Sequence, residues 1–510
     1  MHGFTLLLLL ISMTLNPFAE NPLGLQGSGL NELLQTDLMV IHPPLVFLAY
    51  SLCIALAATS LAILQYGDDA DIDKRMLHQT RPGLLIATLG IGLGGLWAYM
   101  VLDWGGYWAW DPVENASLLP WLTGTAFLHS VIVQERRGML RVWNLSLLLA
   151  TFALTIFGTF LTRSGVIDSV HEFSASSLGP LLLGLFATIV ILSVALVGWR
   201  GDQLRSPGSI DSPVSREGAF LANNLLFTLV AFIILLGTVF PLIVEAINND
   251  QLAVGRPYFD RMLLPLGIAL LLVMGVAPLL TWRSTNGHLL GTRALGPAAL
   301  GALTMAAAVW LGAEGLGPVL GIGLGGFVIG SAVRHLALTA RRQGWRAATG
   351  RAGGGMVAHI GVSLLAFGFI ASTSFSEEGE FQLRPGEGGS VAGHQIRFVE
   401  LTDEMDGPNR VVRARIEVEG RGVYAPAITQ YPTFGRPIAT PSVATSLVDD
   451  VYLSLVAIPE ENSDVVVVRV LVEPLVGWIW VGGFVIAAGT VLAIVPERRK
   501  RHSELEDALA

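Results

Sequence analysis

Four of the ten histidines in this 510-residue chain stand where apolar sequence surrounds them or begins. His129 and His359 lie inside long apolar stretches at 118–134 and 353–372, while His42 and His171 precede two others, at 43–65 and 178–198. An ionisable side chain within a bilayer is a functional candidate whose partner has to be named. Paired imidazoles are suitable axial ligands for haem iron; the plain alternative is a histidine hydrogen-bonded across helices. Between His42 and His171 runs LDWGGYWAWDPVENASLLPW, residues 102–121, with four tryptophans inside 18 residues. Trp104, Trp108 and Trp110, with Tyr107 among them and Gly105, Gly106 and Pro112 shaping the backbone, suit a stacking platform for a flat apolar ligand. An interfacial aromatic belt is the competing reading. Asp111, Glu114 and Asn115 are placed either to fix polar edges of such a ligand or to cap the helix that follows.

The elements that must position these residues are membrane helices. Charged residues make up 14% of the chain, against about 25% in soluble domains, and the mean hydropathy is +0.60. So few polar side chains cannot wet the surface of a soluble particle of this size. A bilayer core asks for about 20 apolar residues per helix. Such runs occur near 43–65, 83–102, 118–134, 142–161, 178–198, 219–241, 262–282, 294–313, 316–338, 353–372 and 474–495. Residues 4–15 are too short for a span and read as the tail of a helix. Residues 29–39 read as an interfacial amphipathic helix. Residues 373–473 switch to short alternating or β-branched runs between Gly, Pro and Asp clusters, the pattern of a small β domain. The expectation is an all-α polytopic membrane bundle of eleven or twelve helices, with a β-rich domain inserted before the last helix. It divides into a bundle at 1–372, the β domain at 373–473, and a last helix with a tail at 474–510.

Orientation follows from the short loops. One alternate set carries twenty Lys and Arg and the other three, Arg163, Arg256 and Arg261; the rich set faces the cytoplasm, with the C-terminus. The β domain and residues 102–121 then lie outside. His129 is about 11 residues into its span from outside, roughly 16 Å at 1.5 Å per residue. His359 enters from the cytoplasm and lies roughly 21 Å from the outer face of a ~30 Å core. The two depths agree within a helical turn. The single Cys53 excludes a disulfide framework and a Cys-based zinc site, and the net charge of −9 is no nucleic-acid signal. His2, His78, His288, His335, His394 and His502 read as solvated or structural.

The segment WGGYWAWDPVENASLLPW resembles the tryptophan-rich signature of the CcmF family of cytochrome c maturation proteins. LLQTDLMVIHPPLVFLAYS, TAFLHSVIVQERRG, GTFLTRSGVIDSVHEF and GMVAHIGVS resemble that family too, in its order, and favour it or its paralogue for nitrite-reductase cytochromes over the smaller CcsA-type members. The resemblance implies that His42 and His171 ligate an incoming haem and that His129 and His359 ligate a resident haem b. It implies that Trp104, Trp108, Trp110 and Asp111 form the haem platform; Tyr107 stands where many members have another tryptophan. Arg163 is the candidate cation for the propionates of the incoming haem, with a headgroup or helix-end contact as its alternative. Family members usually carry further helices before residues 16–18, so a late start or a natural short form is expected here.

The implied activity is haem lyase: attachment of haem to the thiols of apocytochrome c on the outer face of the bacterial inner membrane. The implied partners are a haem chaperone (CcmE) and a CcmH-type apocytochrome-binding subunit, with quinol a weaker extrapolation as electron donor. The thiols belong to the substrate, so a lone cysteine is no obstacle. The rival from another class is a membrane transporter of haem or another lipophile. It fits the 58 glycines but calls for a polar path across the membrane and inverted repeats, neither of which is evident. A pure scaffold explains the β domain but not four placed histidines.

Overall fold

The computed structural model describes residues 2–14, 16, 32–67, 72–165, 178–204, 208–249, 252, 254–432, 437–460 and 463–495. After a short apolar helix α1 (His2–Met13) come α2 (Asp37–Tyr66), α3 (Ile72–Val101), α4 (Pro112–Arg137), α5 (Arg141–Arg163) and α6 (Gly179–Arg200). They are followed by α7 (Arg216–Asn248), α8 (Arg256–Val276), α9 (Gly287–Trp310), α10 (Leu316–Gln343), the single turn α11 (Trp345–Ala348), α12 (Arg351–Ser374) and α13 (Val476–Ile494). Among the described residues eleven helices are long and apolar enough to cross a membrane, and each coincides with one of the expected runs. The observed helices begin or end several residues beyond the hydropathy edges, because capped polar ends stay helical. In α4 the Asp111 carboxylate accepts from Val113 N at 2.8 Å and Glu114 reaches back to Asp111 N, with Pro112 in the first turn; this capping box starts the helix before its apolar stretch.

One expectation is corrected here. The single amphipathic helix expected at 29–39 is not formed: 29–31 lie outside the described residues, Glu32–Leu34 make a 3-10 turn, and Thr36 is extended before α2 begins.

Between α12 and α13 the chain forms β1 (Glu377–Leu383), β2 (Gly388–Val391), β3 (His394–Asp406), β4 (Asn409–Val418), β5 (Gly422–Tyr424), β6 (Ala427–Gln430), β7 (Ile438–Thr440), β8 (Ser442–Ala444), β9 (Asp449–Leu455) and β10 (Val466–Pro474). One antiparallel sheet has the order β1-β10-β9-β8; the other runs β2-β3-β4-β6-β7, with β5 beside β4. Inward residues of both, including Leu383, Phe398, Ile416, Leu453 and Val468, share one buried core, as alternation along half-buried strands requires. The protein is therefore a helical membrane bundle with a β-rich unit ahead of its last helix.

Small residues bring α12 and α13 into backbone contact. A Cβ built on Gly361 would lie 2.6 Å from Ile486 N, on Gly482 2.5 Å from Leu365 N, and on Gly489 2.5 Å from Ala358 N. In lipid, where apolar burial no longer drives helices together, such close approach is a main source of association. Gly354, Gly361 and Gly368 recur every seven residues and keep one face of α12 on its partner. His359, two residues from Gly361, therefore projects about 160° away from that seam. Because β1 leaves α12 and pairs with β10 entering α13, with Glu377 opposite Val472, the same seam seats the β-rich unit. Gly361→Val should part the helices and lower the apparent melting temperature in detergent, since overpacking costs about 1–3 kcal/mol or more. The same change at Gly483, where a Cβ meets nothing within 4 Å, should be nearly silent. Equal losses at both positions would contradict the seam.

Candidate functional site

The loop joining α3 to α4, residues 102–111, is held from several sides. Tyr452 in β9 donates its hydroxyl to Leu102 O at 2.7 Å, the Ser454 hydroxyl donates to the Asp103 carboxylate, and Arg469 in β10 donates to Asp103 O. Gly105 takes φ +75°, a region open to glycine at little cost. Trp110 takes φ +59°, which costs a residue with a side chain about 1–3 kcal/mol and persists only where surroundings impose it. Here Asn115 Nδ2 donates to Trp110 O and to the Thr238 hydroxyl, both at 3.1 Å, and the indole stacks on Phe259 at 4.8 Å and 11°. The helix cap is Asp111, not Asn115, so Asp111 serves the backbone of α4 and Asn115 the loop.

The rings of this loop pack against different neighbours. Trp104 packs against the cluster of Trp97, Ala98 and Leu102. Tyr107 shares a 2.8 Å hydrogen bond with Ser372 and lies edge-on to Trp480 and Phe369. Trp108 stands edge-on to Trp110, with centroids 6.0 Å apart. Of the four, Trp108 lines the cleft that also contains His42. This cleft opens to the outside and encloses about 100 Å³, less than a drug-sized ligand fills in a closed pocket. Its walls include Tyr50, Gly94, Glu114 and Thr162.

His42 lies within the second turn of α2, not ahead of it, and is followed by Pro43 and Pro44 inside the helix. Its Nδ1 bonds Gly90 O at 2.8 Å; a carbonyl only accepts, so that nitrogen carries the proton and Nε2 is the basic one. Gly94 leaves room for the imidazole, as a Cβ there would lie 2.7 Å from His42 Cε1. Arg163 ends α5, one residue beyond Thr162 of the cleft wall. His171 lies outside the described residues.

A second constellation lies between α4 and α12. The His129 and His359 rings are 6.2 Å apart between centroids, with planes 18° from parallel. Two imidazoles sharing one axial ion at about 2 Å per bond would have ring centres roughly 6 Å apart. Each lies eight residues from the arginine-rich end of its helix, Arg137 of α4 or Arg351 of α12, roughly 12 Å along the axis. A 3.1 Å ion pair between Arg351 and Glu135 ties the two helices at that end. His129 Nδ1 donates to Thr125 O at 2.8 Å, the backbone support that ligating histidines normally have. His359 Nδ1 is buried without a partner among the described residues, an orphan that a further group would satisfy. The donor set therefore fits a bis-imidazole haem.

The first 167 residues match the family described as "Cytochrome C assembly protein". The chain is 36% identical over 517 residues to the cytochrome c-type biogenesis protein CycK of Rhizobium meliloti (strain 1021), covering 96% of this chain and 74% of that one. It is 34% identical to CcmF of Escherichia coli (strain K12), covering 98% and 78%. The solved structure of a "Cytochrome c Heme Lyase CcmF" superposes with a TM-score of 0.76 at 30% identity, over 91% of this chain and 73% of that one. The chain belongs to the CcmF family of cytochrome c-type biogenesis proteins. The likeness to the probable biogenesis protein NrfE of Escherichia coli (strain K12), at 33% identity, covers the paralogue expected from the motifs.

One group of residues in this CcmF-family chain escaped sequence reasoning. Asp450 and Glu473 face each other across β9 and β10, only 1% and 5% exposed. Tyr99 donates to Asp450 Oδ2 at 3.1 Å and stands within hydrogen-bonding reach of Glu473, so the acid pair ties α3 to the β-rich unit beside the loop. Only strand pairing and the chain's return to α3 bring these residues together, and no local motif announces that. Burial, reinforced by Asp450 and opposed by the Tyr99 hydrogen bond, pushes the Glu473 carboxyl up from 4.5 to about 7. The folded protein thus holds this proton more tightly than the unfolded chain. The associated stability is complete below about pH 4.5 and is lost as pH rises through about 7, at most about 3 kcal/mol. Glu473→Gln should flatten the fall in melting temperature between about pH 5 and pH 8 and raise stability at the alkaline end. An unchanged pH profile would count against a buried neutral acid.

Proposed function

We propose that this CcmF-family protein is the haem lyase component of cytochrome c maturation, attaching haem to the two thiols of a Cys-x-x-Cys-His segment of apocytochrome c. The observation that carries the reading is a cleft lined by both His42 and Trp108, the latter on a loop braced by the β-rich unit. Each thiol adds across a haem vinyl group: a sulfur–carbon bond forms at one vinyl carbon, the thiol proton ends on the other, and no net oxidation occurs. The task of the protein is orientation, and well-placed reactants can contribute about 7–11 kcal/mol to lowering a barrier. His42 Nε2 supplies one axial bond to substrate haem and His171 the other, Trp108 an apolar edge, and Arg163 a guanidinium for propionate. Trp104, Trp110 and Asp111 act by holding the loop.

A resident haem b, held by His129 and His359, would supply one-electron reduction of the iron of the incoming haem. His129 enters this role with its tautomer set by Thr125 O, and α12 carries His359 on the face opposite the glycine seam. Twenty Lys and Arg in one set of loops against three in the other support a bacterial inner-membrane protein with the loop and β-rich unit in the periplasm. There they would meet apocytochrome c, a haem chaperone of the CcmE type and a CcmH-type subunit, with quinol as the electron source.

The purified protein should show a bis-imidazole haem spectrum that changes on dithionite reduction. His129→Ala or His359→Ala should lose it, while His42→Ala should abolish holocytochrome c and leave it in place. Full haem content and an unchanged spectrum in both deep-histidine variants would overturn the resident site. Normal holocytochrome yield from His42→Ala would overturn the cleft assignment.

A further inference from the structure

The arginine-rich end of the bundle gathers three guanidinium groups, of which Arg216 alone feels a nearby carboxylate, that of Glu217, and none is ion-paired among the described residues. Arg216 opens α7, Arg293 lies in the second turn of α9 and Arg334 lies in α10. Arg216 Nη2 donates to Pro278 O at 3.3 Å and Arg293 Nη1 to Leu279 O at 2.8 Å, so both converge on the 3-10 turn Ala277–Leu279. Arg334 is close enough to Arg293 for their like charges to repel. Among the described residues none of the three arginines forms an ion pair with a carboxylate. Glu217, adjacent to Arg216, already accepts from Arg137 Nε at 3.1 Å and from the Arg283 backbone N–H. Guanidinium groups do not shed their charge, so such a cluster calls for an anion.

Two observations place that anion inside the bundle. Arg216 Nε is buried with no partner among the described residues, and a continuous run of rings links it to the histidine pair. The Arg216 guanidinium lies 5.8 Å from the Trp282 ring centre, Trp282 lies 6.2 Å from Phe220, and Phe220 lies 6.0 Å from His129. On α7, Arg216, Phe220, Asn223 and Phe227 fall within roughly 60° of one another about the axis. Phe227 also lies 6.2 Å from His129. Asn223, 8% exposed, has a buried Nδ2 without a partner.

The geometry points to Arg216, backed by Arg293 and Arg334, as the anchor for the two propionate carboxylates of the haem held by His129 and His359. This rests on the resident-haem reading. A porphyrin whose iron lies between the two imidazoles, turned with its acidic edge toward the arginine-rich end, meets the Nε–H and Nη–H fork that suits carboxylates. Phe220 and Phe227 then flank its ligand on one helix face. The buried position of Nε favours a group within the bundle over a lipid headgroup at its rim.

The test compares wild type with Arg216→Gln, Arg216→Lys and Arg334→Gln, and with Arg341→Gln as a control at the same end. Haem content, midpoint potential and propionate-bending bands in resonance Raman spectra are measured on each purified protein, with bound phospholipid counted by native mass spectrometry. Arg216→Gln should lower haem occupancy several-fold or, in molecules that keep haem, lower the midpoint potential, because a lost cation no longer disfavours ferric iron. Its propionate bands should shift, Arg216→Lys should restore the effect in part, and Arg341→Gln should match wild type. If Arg216→Gln fails to fold, Arg216→Lys and Arg334→Gln decide by the same readouts. Wild-type haem content, potential and propionate bands in these variants would overturn the anchor, most directly if bound phospholipid falls instead. A wild-type protein without bis-imidazole haem would overturn the resident-haem reading itself, and the anchor with it.

Discussion

The glycine seam between α12 and α13 is the contact on which the rest of the structure depends. It sets the rotation of α12, and so turns His359 toward α4, where His129 stands. It also brings the start of β1 beside the end of β10, so that both ends of the β-rich unit are tied to adjoining helices. From there β9 and β10 reach the α3–α4 loop through Tyr452, Ser454 and Arg469. A membrane interior gives helices no hydrophobic reason to associate, so placement has to come from shape and hydrogen bonds. Backbone contact at glycine supplies shape with the least freedom of adjustment.

The two histidine sites are built by different means. The His129–His359 pair lies on α4 and α12, which the Glu135–Arg351 ion pair joins, and among the described residues its backbone support is the carbonyl one turn before His129. His42 belongs to a helix interrupted by two prolines, packed where α3 is reduced to glycine at Gly90 and Gly94. Prolines remove backbone donors and bend a helix, which suits a ring that must present itself to an open cleft. A pair in the interior of the bundle asks instead for rigidity, because a small displacement of either helix changes the distance between the rings.

Much of this architecture was legible in the amino-acid sequence, and the reasons differ by element. Apolar runs near twenty residues announce spans directly, and alternation announced the strands at 373–473. The depths of His129 and His359 followed from counting residues along helices, since helical rise is nearly constant. Neighbour relations did not follow from counting. The Asp450–Glu473–Tyr99 contact depends on strand register and on the return of the β-rich unit to α3, which no local pattern encodes. Seven-residue glycine spacing in α12 was present in the sequence as a signal of close packing, but only the reciprocal Gly482 and Gly489 identify its partner.

The tryptophan-rich loop shows how rings that suggest a binding surface also hold the backbone beneath it. A loop at a membrane surface that carries two glycines and a left-handed Trp110 has little intrinsic order, and freezing each residue costs about 1–2 kcal/mol. Its rings meet that cost by stapling the backbone to different walls: Trp104 to the α3 side, Tyr107 to α12 and α13, and Trp110 to α8. Trp108 is the ring left at the cleft with His42. An aromatic cluster that holds a loop still bears on ligand binding, because it fixes where the ring that lines the cleft stands. On this view the number of tryptophans measures how firmly the loop has to be held, and the direction of Trp108 measures what it is held for.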